Sequence, residues 1–117
     1  MITFEIVTQI ARRFPDVETV TKYDGSPVLK VNGSFVAGLA TDESAEADTL
    51  VVRMGIDQRA FLLEDAPDTY YVTDYYSKYP VVLARLSELN HDAIHDLLAV
   101  SRTLALDKAP PRRRKRR

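Results

Sequence analysis

Four groups of side chains in this sequence have types and spacings that could do chemistry. His91-Asp92-Ala93-Ile94-His95 sets two imidazoles four residues apart, the spacing that zinc peptidases use on one helical face. The match stops there, because Asp92 stands where a general-base glutamate is needed and no third ligand is evident. No residue is assigned to catalysis or to a metal, and no cofactor is implied. Asp42, Glu43, Glu46 and Asp48 crowd a second stretch, and carboxylate oxygens suit hard cations, yet this composition reads first as a solvated acidic loop. Tyr70, Tyr71, Tyr75, Tyr76 and Tyr79 form a third group, five of the six tyrosines, beside Lys78. Bases stack on such rings for about 1–3 kcal/mol each. Tyr70 and Tyr71 are neighbours on an expected strand and point to opposite sheet faces. Tyr75, Tyr76 and Tyr79 are therefore the candidates for nucleic-acid contact, aided by Lys78 and Arg85. The fourth group is Arg112, Arg113, Arg114, Lys115, Arg116 and Arg117. Six cations in a row would touch phosphates without reading bases, and full engagement of a duplex gives a log–log salt slope of about −5, from roughly 0.9 per contact.

The chain that must position these groups has 117 residues and a formal net charge of −1. That total conceals a division. Six of the 16 basic residues lie at 112–117, so residues 1–111 hold ten basic side chains against all 17 acidic ones, a net of −7. Any nucleic-acid affinity must come from the tail or from one local basic face. With 45% hydrophobic and 28% charged residues, the chain has the composition of a folding domain. It has no cysteine, which removes disulfides, thiolate metal sites and a cysteine nucleophile. No apolar run approaches the roughly 18 residues that a membrane span needs, so a cytoplasmic protein is expected. The organisation expected is one α+β domain over residues 1–107 and a flexible Pro/Arg-rich tail over 108–117.

Spacing orders the elements. Thr3 caps a helix to about Arg13, with Phe4, Val7, Ile10, Ala11 and Phe14 on one face. Pro15 stops it. Val17–Tyr23 reads as a strand, Asp24-Gly25-Ser26-Pro27 as a turn, and Pro27–Val31 as a second strand. Asn32-Gly33 signals a type I′ hairpin into Ser34–Ala40. Thr49–Met54 alternates, with Leu50, Val52 and Met54 on one face and Thr49, Val51 and Arg53 on the other, as a sheet packed on one side requires. Asp57 caps a short helix through Leu63. Thr69–Thr73 and Val81–Leu86 are the last strands, and Asn90 caps a helix from His91 to about Leu106 whose Ile94, Leu97, Leu98, Ser101 and Leu104 are buried. The order α-ββββ-α-ββ-α predicts a two-layer α+β fold, an antiparallel sheet of about six strands with helices on one face.

Tyr23-Asp24-Gly25-Ser26-Pro27, the Leu29–Gly33 hairpin with Phe35-Val36-Ala37, and Tyr70–Tyr76 followed by Tyr79-Pro80 and Val82–Leu86 together resemble the MmcQ/YjbR-like family. The resemblance runs from about Phe4 to Leu106. It implies a CyaY-like fold and a double-wing DNA-binding arrangement. The expected function is a non-enzymatic DNA-binding protein with weak, sequence-independent phosphate contacts. The alternatives are an acidic adaptor that binds a protein partner through its sheet, or a metal-handling protein of frataxin type using the acidic loop.

Overall fold

The computed structural model describes residues 2–108. Helix α1 spans Phe4–Ala11, and its first turn is closed by Thr3, whose side-chain oxygen accepts from Ile6 N–H at 3.4 Å. Phe4, Val7, Ile10 and Ala11 are the buried stripe. The helix ends two residues before Arg13 because the chain tightens there into i→i−3 bonds, Arg13 N–H to Ile10 O and Phe14 N–H to Ala11 O. Then come β1 (Val17–Thr21), β2 (Pro27–Val31), β3 (Ser34–Leu39), β4 (Thr49–Arg53), α2 (Ile56–Asp65), β5 (Tyr70–Tyr71), α3 (Asp74–Ser77), β6 (Val81–Arg85), a 3-10 turn at Leu86–Glu88 and α4 (His91–Lys108).

The six strands form one antiparallel sheet in the order β1-β2-β3-β4-β6-β5. Asn32 and Gly33 both have positive φ, as the type I′ turn between β2 and β3 requires. One sheet face carries the main core: Leu29, Leu50, Val52, Val82 and Ala84 meet Ile94, Leu98 and Ala105 of α4 and the stripe of α1. Asn90 caps α4 by accepting from Ala93 N–H at 2.8 Å. Asp16, in the turn after α1, accepts two bonds of 2.7 Å from Arg102, tying the start of the chain to the last helix.

Three features depart from the spacing. Gly55, not Asp57, is the N-cap of α2, with Gly55 N–H donating to Gln58 Oε1; Asp57 sits in the first turn, where its charge still suits the helix dipole. The link after β5 contains α3. And the second sheet face is not open: Thr49, Val51 and Leu83 are buried with Tyr76, while Phe35 and Tyr71 pack beside them. The alternation in β4 is real, but α3 and the tyrosines cover the side expected to face water.

The β2–β3 register slips between Leu29 and Lys30, leaving Val36 of β3 without a partner. This bulge lets Val36 and Ala37 both enter the main core while Phe35 lies on the second face, the re-aiming that bulges produce. Two carbonyls there are taken by side chains. Ser101 of α4 is fully buried and donates to Val36 O at 2.6 Å, and Arg53 donates to Phe35 O at 2.7 Å.

Candidate functional site

On the second face the strand ends around Arg53 and Val81 form a pocket of about 330 Å³, walled by Phe35, Tyr75, Tyr79 and Pro80, with Tyr76 and Val51 beneath and Lys22 at its edge. Arg53 is the last residue of β4, so its side chain emerges where the sheet runs out. Its Nε is fixed on Phe35 O, and among the described residues its two terminal nitrogens meet no acceptor. Burial lowers the Arg53 pKa, but a guanidinium remains a cation throughout the accessible pH range.

Lys22 is carried by the tight turn between β1 and β2. Lys22 N–H donates to Ser26 O, Gly25 has φ 89°, and Asp24 accepts from both the backbone and the hydroxyl of Ser26. Those bonds, the hydroxyl's first, hold the Asp24 carboxyl below its usual pKa.

The tyrosines divide by role. Thr73 caps α3 by accepting from Tyr76 N–H, and Tyr76 is buried with its hydroxyl accepting from Thr41 and Asp42 N–H. Tyr75 and Tyr79 are 43% and 45% exposed, their rings centred 5.8 Å apart, with Tyr75 edge-on to Tyr76. Neighbouring Tyr79 is the first cause raising the Tyr75 pKa, so the Tyr75 phenol stays neutral at pH 7. Lys78 Nζ lies 5.3 Å from the Tyr75 ring centre, within cation–π reach. Arg59 of α2 fixes the segment that presents Tyr79 by donating to the carbonyls of Ser77, Tyr79 and Val81.

Tyr75, Tyr76 and Tyr79, all candidates from the sequence, thus meet at one pocket, with Tyr76 as its support, while Lys78 does not line it and lies by the Tyr75 ring. Arg85 does not join them. It lies at the far end of β6, makes a two-bond pair with Glu46 at 2.9 Å, donates to Pro67 O and Asp68 O, and covers the Tyr71 ring at 4.4 Å. Arg112, Arg113, Arg114, Lys115, Arg116 and Arg117 lie outside the described residues.

The acidic stretch is tied down rather than loose. Tyr76 holds Thr41 and Asp42, the Ser44 hydroxyl meets that of Thr73 at 2.9 Å, and Tyr71 OH accepts from Glu46 N–H while bonding the Thr49 hydroxyl. Glu46 is spent on Arg85, whose hydrogen bond holds its pKa low. His95 packs on the Phe14 ring, and among the described residues no group of three His, Asp or Glu side chains could hold a metal.

Lys22, Phe35, Arg53 and Arg59 are absent from the site that the sequence suggests. Arg53 itself is visible in the sequence, but the β4 alternation puts it on the face shared with Val51, the polar side of a one-sided sheet, where an arginine is ordinary. That Lys22 and Phe35 converge on it depends on the pairing of distant strands and on the bulge.

No protein-family profile matches the chain, and no curated protein matches it. Among solved structures it is similar to a DUF1801-family protein, YdhG, of Bacillus subtilis, at 18% identity and a TM-score of 0.52, over 92% of this chain and 78% of that one. A likeness at that identity is one of fold: an α+β domain with a six-stranded antiparallel sheet. The resemblance to the MmcQ/YjbR-like family does not hold, and the double-wing arrangement it implied loses its basis. The physical reason is visible in the residues that carried it. Asp24-Gly25-Ser26 and Asn32-Gly33 are what two tight turns demand. Tyr71 and Tyr76 hold a loop, so their pattern reports architecture rather than ancestry. Among the described residues no helix is long and apolar enough to cross a membrane.

Proposed function

We propose that this chain is a non-catalytic binding domain whose Arg53 pocket takes a nucleotide unit, free or within a single strand. One observation carries the reading: a guanidinium anchored through Nε, with two unengaged terminal nitrogens, at the edge of a pocket walled by aromatic rings. Such a fork matches phosphate oxygens, and exposed tyrosines offer faces on which any base stacks. The pocket's volume falls at the small end of the usual range for ligand sites, which suits one nucleotide rather than a duplex. Lys22 and Lys78 add positive charge at the edge of an otherwise acidic body, opposed there by Asp42. In this reading the basic residues 112–117 strengthen binding to a strand without choosing its sequence.

The chain has no tryptophan, so tyrosine fluorescence reports ligand directly. Titration with adenosine, adenosine monophosphate and a short single-stranded oligonucleotide is expected to give saturable quenching by the two phosphorylated ligands and much weaker quenching by adenosine. Deleting residues 112–117 should leave the mononucleotide curve unchanged and flatten the oligonucleotide's log–log salt slope by about 4, at roughly 0.7 per single-strand contact. Equal response to adenosine and its monophosphate, or no saturation by either phosphorylated ligand, contradicts the proposal.

A further inference from the structure

On the other side of the sheet, α2 and α4 leave a groove between them. Its main cavity, about 560 Å³, has Met54, Leu62 and Leu97 at its base and Phe61 and Val100 along its walls. Phe61 is 64% exposed and Val100 37%; α2 buries none of its residues fully, while Val100 belongs to a helix whose Ile94, Leu97 and Leu98 are buried. The groove continues along α4 past Leu104 to Asp107, through two smaller hollows that share Val100 and Leu104 with their neighbours. From Ala93 to Asp107 is fourteen helical steps, or about 21 Å at 1.5 Å per residue.

The charge along this groove is mostly of one sign. Asp57 and Asp96 line the main cavity and Asp107 the far hollow, while among the described residues the only cation lining any part of it is Arg53 at that far end. We infer that the α2–α4 groove docks an amphipathic helix of a partner protein, about four turns long, with an apolar stripe flanked by lysine or arginine. An apolar stripe at i, i+3, i+4 and i+7 is what a groove between two helices receives, and flanking cations would meet the aspartates. Two other occupants fit less well. A second copy would set Asp57 and Asp96 against the same acidic lining, at a repulsive cost. The chain's own residues 112–117 contain no apolar side chain to enter the base.

The test uses the full chain and a panel of fourteen-residue helical peptides with leucine stripes in each register, made in lysine-flanked and glutamate-flanked versions. At least one lysine-flanked peptide is expected to bind saturably, with its glutamate counterpart at least tenfold weaker. Val100→Arg should abolish that binding, and Asp57→Asn with Asp96→Asn should weaken it about tenfold, with circular dichroism unchanged in both variants. If no lysine-flanked peptide binds, if both charge versions bind alike, or if Val100→Arg binds normally, the inference is wrong. It is equally wrong if sedimentation shows a dimer that Val100→Arg dissociates.

Discussion

A guanidinium held by one nitrogen and open at the other two is prepared to receive an anion, because its position is fixed before the ligand arrives. Arg53 has this form: the bulge carbonyl of Phe35 holds Nε. A charged hydrogen bond contributes about 1.5–3 kcal/mol, and about 1.4 kcal/mol is tenfold in affinity. Replacing Arg53 by Gln is therefore expected to weaken nucleoside monophosphate binding at least tenfold in calorimetry, while glutamine can still reach toward Phe35 O. Arg53→Lys should fall short of full affinity, since a lysine cannot both keep the bulge contact and offer two coplanar donors. Unchanged affinity in Arg53→Gln would remove Arg53 from the site. Arg85 makes the contrast: a cation of the same type on the same sheet face, with all three guanidinium nitrogens already committed.

Among elements, α3 is the one that builds the pocket, and it does not hold itself in place. Four residues cannot form a stable helix alone. Thr73 caps it, Tyr76 anchors it to the loop at Thr41 and Asp42, and Arg59 clamps the carbonyls that follow. Arg59→Ala is expected to weaken nucleotide binding at least threefold, although Arg59 does not line the pocket. Relaxation measurements should then show increased motion among the pocket residues in the segment from Tyr79 to Val81, whose carbonyls Arg59 holds. Unaltered binding would mean that the segment is fixed without the clamp. Much of this scale was legible beforehand. The caps Thr3 and Asn90, the Asn32-Gly33 hairpin and most of the α4 stripe follow from short-range patterns whose physics is local; Leu104, expected in that stripe, is only half-buried, and Ala105 enters the core instead. Helix α3 was hidden, because one turn leaves no periodicity. So was the bulge at Val36, since only the pairing of two strands defines an extra residue. The site divides the same way. Its tyrosines cluster in sequence and were visible, whereas Lys22, Phe35 and Arg53 come from three different strand ends.

At the scale of the whole molecule, closure depends partly on charge. The Asp16–Arg102 pair joins residues 86 apart in sequence, and a hydrogen bond from Arg102 is the first cause of the lowered Asp16 pKa. A carboxylate whose folded pKa lies below its unfolded one stabilises the protein above the unfolded value. That contribution is lost as pH falls through the folded value. Glu46 is shifted the same way by Arg85. The wild type should therefore melt a few degrees above Asp16→Asn at pH 7, as an exposed pair worth up to about 1 kcal/mol allows. The gap should close below the ordinary aspartate value of 3.8. A gap that persists at pH 2 would assign the difference to packing instead.

The same scale contains the division between an acidic body of −7 and a tail of +6, and it also separates the two binding faces. The nucleotide pocket lies on the α3 side of the sheet and the main cavity of the acidic groove on the α2–α4 side, and the two approach each other at the groove's far end, where Arg53 and Pro80 line both. The most direct measurement is chemical-shift mapping of the labelled full chain during titration with adenosine monophosphate. Saturable shifts are predicted at Lys22, Phe35, Arg53, Tyr75 and Tyr79, with Phe61, Leu97 and Val100 unmoved. No saturable shift at Arg53 and its neighbours, or shifts confined to other surfaces, would contradict the assignment of this pocket.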